Sequence, residues 1–328
     1  MNAPGALHAA SDPVARQMAS LLAALAPDEG YNLTALPDVR FLRSNRPLRR
    51  APVLYDPGVV IVCQGRKRGF LGETTYLYDA QHYLAVSVPV PFSMETDASP
   101  EEPLLAIYLR LDFTVASALV LQLGEAGIAA DAPPQGLMST PMDAALQEVV
   151  LRFLRAMGSP LEAAILGPAL VREIYFRVLT GAQGPSMRAA LAAKGQFGKV
   201  AKAIRRIHGG YQEALDVDQL ASEAGMSAPS FHSHFKAVTH TSPMQYLKST
   251  RLHQARLLMV RSGMTASAAS GQVGYESASQ FSREFKRMFG LSPVEEAERM
   301  KKAFVLPHPG AGSAYVASHL GRSRTARA

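Results

Sequence analysis

The sequence predicts an α+β protein of two domains: a β-rich N-terminal barrel with a helical hairpin, then an all-helical domain of two helix-turn-helix modules joined by a long helix. Three observations predict it. From about Leu36 to Asp112, short apolar runs such as VVIVC, TYLY, YLAVSV and LLAIYLRL alternate with Gly, Pro and Asp, the texture of an antiparallel sheet or small barrel. Near the other end, Ser227, Phe231, Phe235, Lys236, Ser242 and Pro243 recur at a constant offset as Ser277, Phe281, Phe285, Lys286, Ser292 and Pro293, which marks an internal repeat. The charge is also divided: residues 1–186 hold 14 basic against 18 acidic side chains, and residues 187–328 hold 20 against 9.

A chain of 328 residues is long enough for two domains with separate cores. With 48% hydrophobic and 19% charged residues it has the composition of a globular protein, not of a disordered or fibrous one. Because all the basic excess lies in the second part, one domain is expected to meet a polyanion, with nucleic acid the first candidate and an anionic membrane surface the second. The single cysteine, Cys63, excludes an internal disulfide and a thiolate metal centre, and suits a reducing cytoplasm. The early run MASLLAALA is too short to cross a bilayer, so neither a signal peptide nor a membrane partner is expected.

In chain order, residues 1–35 read as an N-terminal extension in which Asp12-Pro13 caps a short amphipathic helix ending near Pro27. Residues 36–186 form the β-rich domain, with Pro89, Pro91, Pro100 and Pro103 marking turns and edges around its last strands. Residues 114–137 fit either a strand or a helix. Two helices follow, carrying Leu146, Val149, Val150, Phe153 and Leu154, then Ile165, Leu170, Ile174 and Val178, separated by Gly158-Ser159-Pro160. This hairpin either covers the sheet or makes a dimer contact. The domain boundary falls near residue 186, the all-helical domain occupies 187–302, and residues 303–328 form a basic tail.

Each repeat builds as helix, turn, helix. In the first, DVDQLASEA carries Leu220 and Ala221 inward, Gly225 turns the chain and Ser227 caps a second helix reaching about Thr239. In the second, Gly274-Tyr275 is the turn and Ser277 the cap. Burying Phe231 and Phe235, or Phe281 and Phe285, fixes the opposite stripe as outward at 100° per residue. Those stripes are Pro229, His232, Ser233 and Lys236, and Ser279, Ser282, Arg283 and Lys286. They contain no carboxylate. Between the copies, PMQYLKSTRLHQARLLMVRSG is one helix started by Pro243 and stopped by Gly263. Its length of ~28 Å is close to the ~34 Å between successive major grooves on one side of B-DNA.

From LASEAGMSAPSFHSHFKAVTHTSPMQYLKSTRLHQARLLM through VGYESASQFSREFKRMFGLSP, the chain resembles the AraC/XylS DNA-binding domain over roughly residues 195–302. One departure is Ala269-Ser270, followed by Gly271, where that family usually has an Ile-Ala pair before VGY; the first helix of the second module is therefore expected to pack less well. Residues 36–185, through VIVCQGRKRGFLGETTYLYDAQHYLAVSVPVP and EEPLLAIYLRLD, resemble the cupin-like ligand-sensing domain of one AraC subgroup. The resemblance implies an effector-responsive, sequence-specific DNA-binding regulator, with double-stranded DNA, an unidentified small-molecule effector, RNA polymerase and a second copy of the chain as partners.

Individual residues have plainer alternatives. His232 and His234 stand two apart and do not share a helix face, so a DNA contact by His232 is preferred to a metal, with His234 at the module's edge. Arg283 either reaches a base or pairs with Glu276 or Glu284, while Lys236 and Lys286, further along their helices, suit phosphate. Arg66-Lys67-Arg68 reads first as a basic hairpin turn and second as an anion-binding rim of the effector site. Cys63 reads first as a buried, inert thiol and second as an electrophile sensor. An enzyme is not expected: His82 is the sole histidine between residues 9 and 207, and no phosphate-binding glycine loop or nucleophile elbow occurs.

Overall fold

The computed structural model describes residues 13–192 and 194–303. Residues 1–12 of the expected extension and 304–328 of the expected tail lie outside the described residues. Helix α1 (Pro13–Leu25) begins at the expected proline and buries Met18 and Leu22 against the sheet and the later helices. Strands β1 (Gly30–Leu33), β2 (Val39–Ser44), β3 (Leu48–Leu54), β4 (Gly58–Gln64), β5 (Arg66–Leu71), β6 (Thr74–Asp79), β7 (His82–Val86), β8 (Pro91–Asp97), β9 (Leu104–Arg110) and β10 (Leu137–Pro141) form one antiparallel sheet. Its order is β1-β2-β9-β4-β7-β6-β5-β8-β3, with β10 also on β7. The sheet thus begins inside the expected extension, because β1 pairs with β2 from Gly30↔Arg43 onward.

The two faces of the sheet go to different cores. On β4, Val59, Ile61 and Cys63 face the helical layer, whereas Val60 and Val62 face the barrel interior with Leu84, Val86, Leu104 and Ala106. Alternation at period 2 along one strand is the cause.

The segment left open in the sequence is a helix, α2 (Phe113–Glu125), followed by β10. Asp112 decides it: its carboxylate accepts from Thr114 N and Val115 N at 2.8 and 3.2 Å and nucleates the first turn. Helices α3 (Ala144–Met157), α4 (Pro160–Ile165) and α5 (Gly167–Thr180) follow. The hairpin covers the outer face of the sheet: Val149, Val150, Phe153, Leu154 and Ile174 are buried in its core.

Helix α6 (Gly184–Leu191) leads into α7 (Gly195–Gly210), α8 (Val217–Glu223), α9 (Ala228–Thr239), α10 (Pro243–Arg261), α11 (Ala266–Gln272), α12 (Ala278–Phe289) and α13 (Pro293–Ala303). The core of the barrel interior runs on through Val88 and Val90 to Phe231, Phe235 and Tyr246 of the first helical module. The second module has its own core around Met259, Ala269, Val273, Phe281 and Phe285. Ala269 and Ser270, expected to weaken packing, are both buried, and the Ser270 hydroxyl is satisfied by the Ser267 carbonyl at 2.8 Å. Among the described residues, no helix is long and apolar enough to cross a membrane.

Candidate nucleic-acid interface

The helices α9 and α12 owe their orientation to paired phenylalanines. Phe231 and Phe235 are fully buried with rings 5.4 Å apart, and Phe281 and Phe285 repeat this at 5.4 Å. A helix that buries positions i and i+4 must present the opposite stripe to solvent. Accordingly Pro229, His232, Ser233 and Lys236 on α9, and Ser279, Ser282, Arg283 and Lys286 on α12, are all exposed. Arg283 forms no ion pair with a described residue, whereas Ser282 donates its hydroxyl back to the Ala278 carbonyl at 2.9 Å.

The caps differ between the modules. Ser277 caps α12 by accepting from Gln280 N at 3.2 Å, as expected. Ser227 occupies the N-cap of α9 with extended backbone but makes no side-chain capping bond. One of the two amides within its reach is absent, because Pro229 lies at the second helical position and has no N–H. His234 is half-buried and holds the Ser230 carbonyl through Nδ1 at 2.8 Å, so it braces the helix from within.

The turns preceding both helices need glycine. Gly225 has φ +66°, and at Gly274, with φ +84°, a Cβ would lie 2.4 Å from the Gln212 carbonyl oxygen. Any side chain there would push the second module away from the end of α7.

Two polar clusters position the helices. Tyr246 on α10, packed edge-on against Phe235, donates to the Pro89 carbonyl and meets His208 Nε2, each at 2.8 Å. Since the phenol has one proton and gives it to Pro89, the imidazole N–H donates to the phenol oxygen. In the second module, Glu284 accepts from Lys248 Nζ at 2.9 Å, Tyr275 Oη at 2.8 Å and Gln280 Nε2 at 3.3 Å. Burial alone would raise its pKa, but hydrogen bonds from Lys248, Tyr275 and Gln280 and the lysine charge outweigh it, leaving the carboxyl below its ordinary value. This brace was missed in the sequence, where Glu284 figured as a partner for Arg283. Lys248 and Glu284 are separated by 36 residues, and no local spacing signals their meeting.

The effector-site candidates separate by the pleat of the sheet. Arg66-Lys67-Arg68 is not a hairpin turn as first expected: the chain bends at Gly65, with φ +78°, and runs on in the same direction, so that the three residues begin β5. Arg66 is exposed, and Arg68 is paired on the outer face with Glu95 and Asp97 at 2.7 and 3.1 Å. Lys67 between them is fully buried. Cys63 sits at a register irregularity of β4, 3% exposed, and burial pushes its thiol up to about 12. That environment suits the inert reading of the thiol.

Residues 35–186 match the family described as AraC-type transcriptional regulator N-terminus, and residues 220–299 match a helix-turn-helix domain. The chain is 33% identical over 95 residues to the HTH-type transcriptional regulator AlkR of Acinetobacter baylyi, covering 29% of this chain and 31% of AlkR. It is 37% identical over 89 residues to the RCS-specific HTH-type transcriptional activator RclR of Escherichia coli, covering 27% and 31%. Both matches span less than a third of the relative's length. Among solved structures it is similar to ToxT from Vibrio cholerae, at 11% identity and a TM-score of 0.48 over 79% of this chain and 98% of that one. Carrying both domains in this order, the chain belongs to the AraC/XylS family of transcriptional regulators.

Proposed function

We propose that this protein is an effector-responsive transcription regulator that inserts α9 and α12 into two adjacent major grooves of double-stranded DNA. One observation carries this reading: two helices with exposed, carboxylate-free stripes flank a single 19-residue helix, in the part of the chain that holds the basic excess. At ~1.5 Å per residue α10 is ~28 Å long, close to the ~34 Å groove repeat. Arg283 reads a base edge with its forked guanidinium, and His232 and Ser233 read the other groove. Lys236 and Lys286 hold phosphates. RNA polymerase and a second copy of the chain are the protein partners of this reading, and a small molecule in the N-terminal domain sets the output.

The test is competition between an operator selected from genomic fragments and random DNA of equal length. A specific regulator prefers the operator by at least about 10³-fold at physiological salt. Equal affinities would instead make the protein a sequence-indifferent architectural binder, which shares the basic excess and needs no reading stripe.

A further inference from the structure

The exposed stripe of α9 does not end where the helix does. His240, four residues after Lys236 and seven after Ser233, continues the same face at the helix C-cap and is exposed. Its backbone is left-handed, with φ +57°, a conformation that costs a residue carrying a Cβ; at the equivalent C-cap of α12 the repeat places Gly290, with φ +81°. A histidine kept where glycine fits without strain points to a use for the side chain. It lies against the barrel: at Gly72, in the turn between β5 and β6, a Cβ would stand 3.3 Å from His240 Nδ1.

Beside this contact is a cleft of about 310 Å³, open to solvent, lined by Arg50, Phe70 and Ser93 of the barrel and by His240 and Thr241 of the helical domain. No carboxylate is among the described residues that line it. Arg50 owes its place to a bulge in the edge strand β3, where Arg49 and Arg50 stand opposite the single residue Glu95 of β8, between the pairs Leu48↔Thr96 and Ala51↔Met94. A bulge re-aims the side chains it carries. The Arg50 guanidinium stacks on Phe70, 4.0 Å from the ring centre, which orients its plane while its N–H groups stay available. Glu95 gives its carboxylate to Arg68 at 2.7 Å, and Arg50 forms no ion pair with a described residue. An exposed, stacked and unpaired guanidinium is a ready donor to phosphate oxygens.

We propose that the cleft between the barrel and the C-terminal end of α9 holds a backbone phosphodiester of the bound DNA, gripped by Arg50, with His240 and Thr241 as further hydrogen-bond donors. The first residues of a recognition helix meet bases, and those further along meet the strand that walls the groove. Lys236 takes one phosphate, and His240, ~6 Å beyond it along the helix axis, opens onto the cleft that takes the next. The N-terminal domain thereby touches DNA itself. This rests on the DNA-binding reading and adds a contact outside the two helix-turn-helix modules.

The experiment measures binding of the full-length protein to the selected operator and to random DNA by fluorescence anisotropy, from about 50 to 200 mM salt. Arg50→Ala is expected to bind both DNAs about threefold to tenfold more weakly and to reduce the salt slope by about one unit. Arg50→Glu should lose more than alanine does, and Arg50→Lys should keep the slope. His240→Gly should lose about threefold in affinity with no fall in Tm, since glycine takes the left-handed cap more readily. Arg46→Ala removes an exposed arginine of the same domain that is paired with Glu29 and lies outside the cleft lining, so it controls for net charge and should bind as wild type does. Wild-type affinity and slope in Arg50→Ala and Arg50→Glu overturn the proposal, and so does an equal loss in Arg46→Ala, or a lower Tm with unchanged affinity in His240→Gly. Each of these leaves the DNA-binding reading standing where the wild type still prefers its operator. A wild type without operator preference overturns that reading, and one that binds neither DNA overturns both.

Discussion

The Tyr246 hydroxyl donates a hydrogen bond of 2.8 Å to the Pro89 carbonyl, tying the linking helix α10 to the barrel across 157 residues of chain. Both partners are buried, and His208 completes the site from α7. Tyr246→Phe keeps the ring but leaves the Pro89 carbonyl without this donor and takes the phenol oxygen from His208. The expected cost is about 1–3 kcal/mol, read as a lower urea midpoint of the full-length protein. An unchanged midpoint would mean that water replaces the phenol and that the contact does not couple the domains.

On α12, Arg283 and Lys286 should fail in different ways. Arg283→Ala is expected to cost roughly 1–3 kcal/mol on the cognate operator and to relax the preference at one base position. Lys286→Ala should weaken all sequences alike and reduce the salt slope by about one unit. Binding to a library of operator variants separates the two. An Arg283→Ala protein with unaltered sequence preference would leave the reading to His232 and Ser233.

Glu284 braces α12 against α10 and the Tyr275 turn, so its loss should act on groove spacing. Glu284→Gln keeps the size but removes the charge that Lys248 faces, and operators with the two half-sites moved by one base pair should then be discriminated less sharply. The lowered pKa also gives a pH signature. A carboxyl whose folded value lies below its ordinary one contributes its stability fully above the ordinary value and loses it as pH falls through the folded value. Acid unfolding of Glu284→Gln should therefore lack part of the wild-type decline below the ordinary glutamate range. Superimposable acid profiles would remove the brace.

Cys63 should resist thiol reagents in the folded protein. With the thiol pushed up to about 12, the thiolate fraction at neutral pH is on the order of a thousandfold below that of a free cysteine. Iodoacetamide labelling followed by mass spectrometry should show modification only after unfolding. Rapid labelling of the native protein would return the electrophile-sensor reading to Cys63.

Much of this protein is written locally in its chain. The offset repeat of Ser, Phe, Phe and Lys fixes two helices, and the i and i+4 phenylalanines fix which stripe is exposed, because helical geometry alone relates these positions. The Pro243 start and Gly263 stop define α10 without reference to anything distant, as do the strand runs from Leu36 to Asp112. Other features depended on tertiary structure. Whether residues 113–125 were helix or strand turned on the Asp112 cap, and the pleat of β5 sent Arg68 to the outer acids and Lys67 into the barrel. The meeting of Tyr246 with Pro89, of Lys248 with Glu284, and the core shared by the barrel and the first module join segments far apart in sequence. Hydrophobic periodicity specifies a face and not its partner, so these pairings were decided only when the strands paired into the sheet and the helices settled on it.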